Sequence, residues 1–389
     1  MATGIDFAAI TEERLRAVGA SKWTRPGVIG AFVAEMDFGV AAPVSAALHE
    51  MVDLGRFGYP PPRMLRDMQE AYAGWSAEHY GWEVDPKWVR PMPDVLSALS
   101  FMLEHLVPAR SKVILPTPAY MPFFVLPPML GHEIVEVPMA RDYDSWVFDL
   151  DALDAALSED AGILILCNPH NPIGRVLEPG EMAPLTELAE KHGVRVFSDE
   201  IHAPLMFPGH AHVPYASTSE AAARHTVTAA SASKAWNLPG LKTAQIIFSN
   251  ESDAALWREV GMFIEHGASN AGLVANAAAY RHGEPWLNEV LAYLDETRTW
   301  FAAEIAERLP GSFVSVPEGT YLSLVDFRGV QGADRWGDEP ARFFEDHARV
   351  KMVEGSECGV AARGWARFNL ATTRPIIAEA IDRMAAAIQ

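Results

Sequence analysis

Between residues 132 and 198 short apolar runs alternate with longer segments of helical spacing: His132 to Val137, Asp149 to Leu157, Ile163 to Cys167, Glu178 to Lys191, and Arg195 to Ser198. A strand that returns to a parallel neighbour needs a crossover, commonly a helix, so this rhythm predicts an α/β fold with a parallel sheet covered by helices. Sites in such sheets lie beyond the carboxyl ends of the strands. The residues just past each apolar run therefore matter most: Thr117-Pro-Ala-Tyr120 after Lys112 to Leu115, Asn168-Pro-His-Asn171-Pro172 after Cys167, Asp199 after Ser198, and Ser231-Ala-Ser-Lys234 after His225 to Ala230.

The last of these carries the strongest chemistry. Burying an ammonium is unfavourable unless it is paired or loses its proton, so a lysine ending a core strand is a candidate for covalent chemistry with a carbonyl. The plain alternative is a lysine that snorkels to the surface. Ser231 and Ser233 lie just before Lys234 and a second cation, Lys242, just after it. Together they suit an anion such as a phosphate ester. The two Asn-Pro steps at 168–172 mark a turn that admits a cis bond.

A chain of 389 residues, 49% of them hydrophobic, can bury a large core and is expected to form two or three domains. The formal charge of −20 disfavours nucleic acid and anionic membranes as partners. Anionic ligands would need positive charge focused locally, from Lys242, Arg367 and helix N-termini. No apolar run reaches the roughly 20 residues of a membrane span, and the acidic start (Asp6, Glu12, Glu13) lacks a signal pattern, so a cytoplasmic location is expected. Cys167 and Cys358 have no paired spacing, which indicates neither a disulfide framework nor a thiolate metal site. His202, His210 and His212 lack the carboxylate or cysteine that would complete a metal site, and no metal is expected.

Several motifs, in order along the chain, resemble the fold-type I pyridoxal phosphate enzymes of the aspartate aminotransferase superfamily, and within it the cystathionine β-lyase and C–S lyase branch. They are Val33-Ala-Glu-Met-Asp-Phe38, Phe57-Gly-Tyr59, Asn168-Pro-His-Asn-Pro-Ile-Gly174, Ser198-Asp-Glu-Ile-His202 and Ser231-Ala-Ser-Lys234. The resemblance implies a large domain, residues 46–274, with a mostly parallel seven-stranded sheet sandwiched by helices. A smaller α/β domain would come from residues 1–45 and 275–389. It further implies a homodimer with shared active sites and pyridoxal 5'-phosphate as cofactor.

By the same resemblance, Lys234 holds the cofactor covalently and then moves the Cα proton of an amino acid substrate. Asp199 pairs with the pyridine nitrogen, Tyr120 stacks on the ring, and Asn171 and His202 lie at its phenolic oxygen. Ser231, Ser233, Lys242 and the backbone at Asp94 and Val95 would hold the phosphate, with Tyr59 reaching it from the partner subunit. Arg367 would grip the substrate carboxylate, beside Asn171 and Phe32. The chain departs from the branch at Phe32, where a tryptophan is usual, at Glu35 for aspartate, and at Asp94 for glycine. Aspartate is a good N-cap, so the Asp94 side chain is expected to turn away and cap its helix while amides 94 and 95 face the phosphate.

The resemblance favours α,β-elimination from a cystathionine-like cysteine S-conjugate. An aminotransferase, or a specialised relative acting on a bulky S-conjugate, stays open because the first half of the chemistry is shared. A cofactor-sensing regulator would need a DNA-binding module of some 60–80 further residues, and the sequence offers none.

Elsewhere the spacing predicts helices over Ala8 to Val18, Pro43 to Leu54, Arg63 to Tyr80, Glu251 to Glu265, Leu273 to His282 and Glu284 to Leu309. It also predicts strands near Phe313 and Tyr321 to Phe327, and a mobile Gly-rich loop from Gly329 to Gly337.

Overall fold

The computed structural model describes residues 4–142 and 145–389. Its centre is a seven-stranded sheet in the order Val89–Met92, Ala244–Phe248, Thr226–Ala230, Arg195–Asp199, Ala161–Cys167, Lys112–Thr117, Ile134–Pro138. The last five strands run parallel, and Ala244–Phe248 is antiparallel to both of its neighbours. Because helices cover both faces, the inner strands are buried on both sides rather than alternating between core and solvent. In Ala161–Cys167, Ile163 and Ile165 pack toward the helices Val95–His105 and Glu251–Val260, while Leu164 and Leu166 pack toward Leu150–Leu157 and Pro179–His192.

A second sheet, antiparallel, has the order Phe313–Ser315, Leu322–Asp326, Trp365–Asn369, Val353–Glu354. The long helix Glu284–Arg308 buries Trp286, Val290, Leu294, Phe301 and Ile305 in a core it shares with the C-terminal helix Arg374–Ile388. The segment Ile29–Gly30 pairs in parallel with Val350–Lys351, which fixes where the chain enters residues 32–39.

Three sequence expectations need correction. The N-terminal helix is interrupted: a single turn, Phe7–Ala9, ends before Thr11, whose hydroxyl caps a new helix, Glu12–Val18. The segment 251–265 is two helices, Glu251–Val260 and Met262–Glu265, separated at Gly261. The Trp257 ring lies so close to Gly261 that a Cβ there would sit 2.3 Å from it. The Gly329–Gly337 loop, expected to be mobile, is anchored: Val330 and Trp336 are buried, and the Trp336 ring lies 4.9 Å from that of Phe343.

Candidate active site

The strand ends singled out by the sequence meet at one edge of the large sheet. Lys234 sits in the tight turn after Thr226–Ala230. Asn276 Oδ1 accepts the Ala232 N–H at 3.1 Å, and Ser233 O accepts the Leu238 N–H at 2.8 Å, so the turn is pinned on both sides of the lysine. The Lys234 amine donates to the Ala34 carbonyl at 2.9 Å. Burial, and then the charge of Arg367, bring its pKa down to about 8 against the opposing pull of Glu35 and Asp199.

Asp199 ends the neighbouring strand, and burial pushes its carboxyl up to about 7 despite the Ile201 N–H and the nearby Lys234 charge. Its Oδ1 accepts that N–H at 3.1 Å, and its Oδ2 takes no hydrogen bond from the described residues. His202 is buried, and its Nδ1 lies 2.9 Å from Thr320 Oγ1. Burial first, then Lys234 and Arg367, push its pKa down, so the ring is neutral. Thr320 supplies that hydroxyl from a left-handed backbone (φ 63°), a strained choice for a β-branched residue.

Arg367 comes from the second sheet and is 2% exposed. Nη1 donates to Asn171 Oδ1 at 3.0 Å and Nη2 to the Phe32 carbonyl at 2.8 Å, while Nε has no partner. No carboxylate pairs with it among the described residues. A buried cation without an acid partner is costly, and such a group commonly marks where an anionic ligand belongs. Tyr120 is half-buried against Phe123; burial and then Asp199 raise its pKa. The Phe32 ring lies 4.9 Å below the Lys351 ammonium and packs toward an apolar cluster that includes Ile173 and Cys358.

The expected phosphate side differs from the sequence reading in one respect. Asp94 does cap the helix Val95–His105, its Oδ1 accepting the Ser97 N–H at 3.1 Å and Ser97 Oγ at 3.0 Å. Its Oδ2, however, lies 2.6 Å from the Lys242 ammonium, so Lys242 is neutralised rather than a focus of free positive charge. Burial alone would raise the Asp94 pKa, but Lys242 and the Ser97 donors together hold it below the ordinary carboxylate value. Val95 opens the helix and is buried. Ser231 Oγ donates to the Thr243 carbonyl at 2.8 Å and accepts the Ser233 N–H at 3.0 Å, which ties the turn together. The Ser233 hydroxyl has no hydrogen bond among the described residues. Tyr59 stands apart: it is 92% exposed, with its ring 6.2 Å from that of His266.

Three asparagines and a tyrosine escaped the sequence reading. Asn237 exchanges two hydrogen bonds of 2.9 Å with the Met36 backbone. Asn369 Nδ2 donates to the Val33 and Glu35 carbonyls at 2.5 and 2.8 Å. With Asn276 they fix the Lys234 turn and residues 33–36 in one frame. The Tyr321 hydroxyl joins Lys234 on the Ala34 carbonyl at 3.0 Å. Asn237 and Asn369 had a positional signal available, since they lie three and two residues past Lys234 and Arg367. The three histidines have three different partners: His202 faces Thr320, His212 Nε2 lies 2.9 Å from Glu200 Oε2, and His210 lies 3.9 Å from Glu318.

The sequence matches the family model for aminotransferase class I and II over residues 35–384. The cystathionine beta-lyase of Corynebacterium glutamicum is 35% identical to this chain over 378 residues, covering 97% of the chain and 98% of that protein. The cystathionine beta-lyase of Bacillus subtilis is 31% identical, covering 97% and 98%. Among solved structures, a PLP-bound C–S lyase from Staphylococcus hominis superposes with a TM-score of 0.89 at 27% identity, covering 100% and 99% of the two chains. A seven-stranded sheet whose strand ends gather Lys234, Asp199 and Asn171 opposite Arg367, in a chain matched nearly end to end, places this protein in the aminotransferase class I and II family.

Proposed function

We propose that the chain is a pyridoxal 5'-phosphate-dependent carbon–sulfur β-lyase that converts a cystathionine-like cysteine S-conjugate and water to a thiol, pyruvate and ammonia. The observation that carries this reading is a set of three ionisable groups with unmet bonding capacity in one site: the buried Arg367 guanidinium, whose Nε is unpartnered, the buried Asp199 carboxyl, and the half-buried Lys234 amine with its depressed pKa. These donors and acceptors fit the cofactor and an amino acid. Lys234 would hold the aldehyde carbon, Asp199 the ring nitrogen, Asn171 the phenolic oxygen and Tyr120 the ring face, while Ser233, Lys242 and the amide of Val95 lie on the phosphate side.

When bound, pyridoxal 5'-phosphate supplies an electrophilic carbon for the substrate amine and a ring that draws electron density from Cα. Asp199 holds the proton at the ring nitrogen, which its own raised pKa makes shareable near neutrality. Arg367 takes the substrate carboxylate in a two-pronged contact that a lysine cannot reproduce, replacing its present contacts to Asn171 and Phe32. The Lys234 amine, brought into the range of a general base, takes the Cα proton. The C–S bond then breaks with its electron pair leaving on sulfur, a proton makes the thiol, and water provides the keto oxygen as nitrogen departs as ammonia.

Elimination is favoured over amino-group exchange because relatives 35% and 31% identical across nearly the full chain bear the cystathionine beta-lyase name. The test is to incubate purified protein with cystathionine and, separately, with an amino acid plus a keto acid, following thiol and pyruvate. Thiol and pyruvate in equal amounts support the reading; amino-group exchange without thiol overturns it. Borohydride reduction followed by peptide mapping is expected to place the reduced cofactor on Lys234.

The same reading includes a homodimer. Phe57 and Tyr59 are exposed on the 55–60 loop beside His266 and Asn270, an aromatic pair that a second subunit would cover. Sedimentation of the purified protein tests it. A cytoplasmic site of action accords with the absence, among the described residues, of any helix long and apolar enough to cross a membrane.

A further inference from the structure

We infer that Asp94 is a built-in rival of the cofactor phosphate, which keeps the cofactor exchangeable rather than permanently held. The inference rests on the proposed cofactor and concerns one residue that departs from the pattern the chain otherwise resembles.

The geometry gives Asp94 two holds. Its Oδ1 is fixed by both donors of Ser97, at 3.1 and 3.0 Å, and its Oδ2 sits 2.6 Å from Lys242 Nζ. The carboxylate cannot swing away from Lys242 without also giving up a cap of the helix Val95–His105. Lys242 is anchored at its backbone, while its ammonium end is more exposed than the carboxylate it meets. Its backbone is left-handed (φ 47°), and its carbonyl accepts the Ser269 N–H at 3.2 Å, so the stem of the side chain starts from a fixed point.

A phosphate dianion entering beside Ser233 and the Val95 amide would therefore meet a cation already neutralised and a carboxylate that stays in place. Like charges a few ångströms apart repel, and the Asp94 side chain, 39% exposed, is only partly screened by water. With glycine at this position neither effect would exist. The cofactor is then retained mainly through Lys234 and Asp199, and its phosphate grip is weak.

The experiment uses apo-protein, titrated with pyridoxal 5'-phosphate, with pyridoxal lacking the phosphate, and with inorganic phosphate as competitor. Wild type is compared with Asp94→Asn and Asp94→Ser, both of which keep a capping side chain but carry no charge. Thermal unfolding of each apo-protein confirms that the variants are folded. Both variants are expected to bind pyridoxal 5'-phosphate and inorganic phosphate about ten-fold more tightly, or better, with pyridoxal unchanged within about two-fold. Unchanged or weaker phosphate affinity in folded variants overturns the inference and leaves the proposed cofactor intact, as does equal tightening toward pyridoxal. A wild-type protein that binds no pyridoxal 5'-phosphate at all overturns both.

Discussion

Lys234, just past a strand of the large sheet, and Tyr321, just before a strand of the second, donate to the same acceptor, the Ala34 carbonyl, at 2.9 and 3.0 Å. If the lysine amine engages the cofactor aldehyde as proposed, the tyrosine hydroxyl alone would keep that carbonyl bonded. Tyr321→Phe should therefore change apo-protein stability little, because Lys234 still covers the carbonyl. Cofactor binding should suffer instead: a half-buried carbonyl left unpaired costs about 1–2 kcal/mol, or roughly five- to thirty-fold in affinity. Absorbance titration of apo-protein with pyridoxal 5'-phosphate measures it, and equal affinity in the variant would count against the shared-acceptor role.

Arg367 is buried with no acid partner among the described residues and a free Nε, so its charge is a liability until a carboxylate arrives. Arg367→Met is expected to leave the apo-protein as stable or more so, seen as an unchanged or raised melting temperature. Turnover of a cysteine S-conjugate should fall on the order of 10²-fold or more in kcat/KM, since a buried charge pair of this kind is worth about 2–5 kcal/mol. Arg367→Lys should recover little, because the ammonium lacks the planar fork. An amine without a carboxylate should bind both forms alike.

Much of this site could be seen in the linear sequence because an α/β sheet places its chemistry at strand ends. Asn168–Asn171, Asp199 and Ser231–Lys234 each follow an apolar run that does form a parallel strand. The unreadable part depends on contacts made across sheets. Nothing near Thr320 in sequence indicates that its hydroxyl meets His202, and nothing near Asn369 that its amide grips Val33 and Glu35. Asp94 is the sharpest case. Its capping role follows from local rules, whereas its grip on Lys242 depends on how the helix Val95–His105 and the turn after Leu241 come together. The Gly329–Gly337 loop failed for a related reason: its glycines suggest freedom, but the buried Trp336 they flank removes it.

The Asp199 carboxyl, lifted by burial from its ordinary 3.8 to about 7, makes a definite statement about pH. In the unfolded chain it ionises above 3.8, whereas the folded protein keeps its proton until about 7. The folded state thus binds more protons in that window, and apo-protein stability should fall as pH rises through it. The effect is on the order of a few kcal/mol. Asp199→Asn should flatten that part of the stability curve, measured by urea unfolding from pH 4 to 8, and raise apo stability at neutral pH. A curve of the same shape in both proteins would show that Asp199 is ionised when folded.

Asp37, the acid of the Met-Asp-Phe motif, does its work at a distance from the reacting groups. Its Oδ1 lies 3.1 Å from Lys22 Nζ and accepts the Trp23 indole N–H at 2.9 Å, with both charged side chains 1% exposed. Lys22 also donates to the Glu35 carbonyl at 3.2 Å, and the Asp37 N–H to the Ala371 carbonyl at 2.9 Å. The pair thus holds the segment whose neighbouring carbonyl, Ala34, receives Lys234. Removing one partner strands a buried charge, so Asp37→Leu should cost about 3–5 kcal/mol of stability. Removing both restores electrical balance, and Lys22→Met with Asp37→Leu should be more stable than Asp37→Leu alone. Urea unfolding of the four proteins in a double-mutant cycle measures the coupling. If the double variant is as unstable as the sum of the singles, the two side chains act independently and the motif's aspartate is not there to balance Lys22.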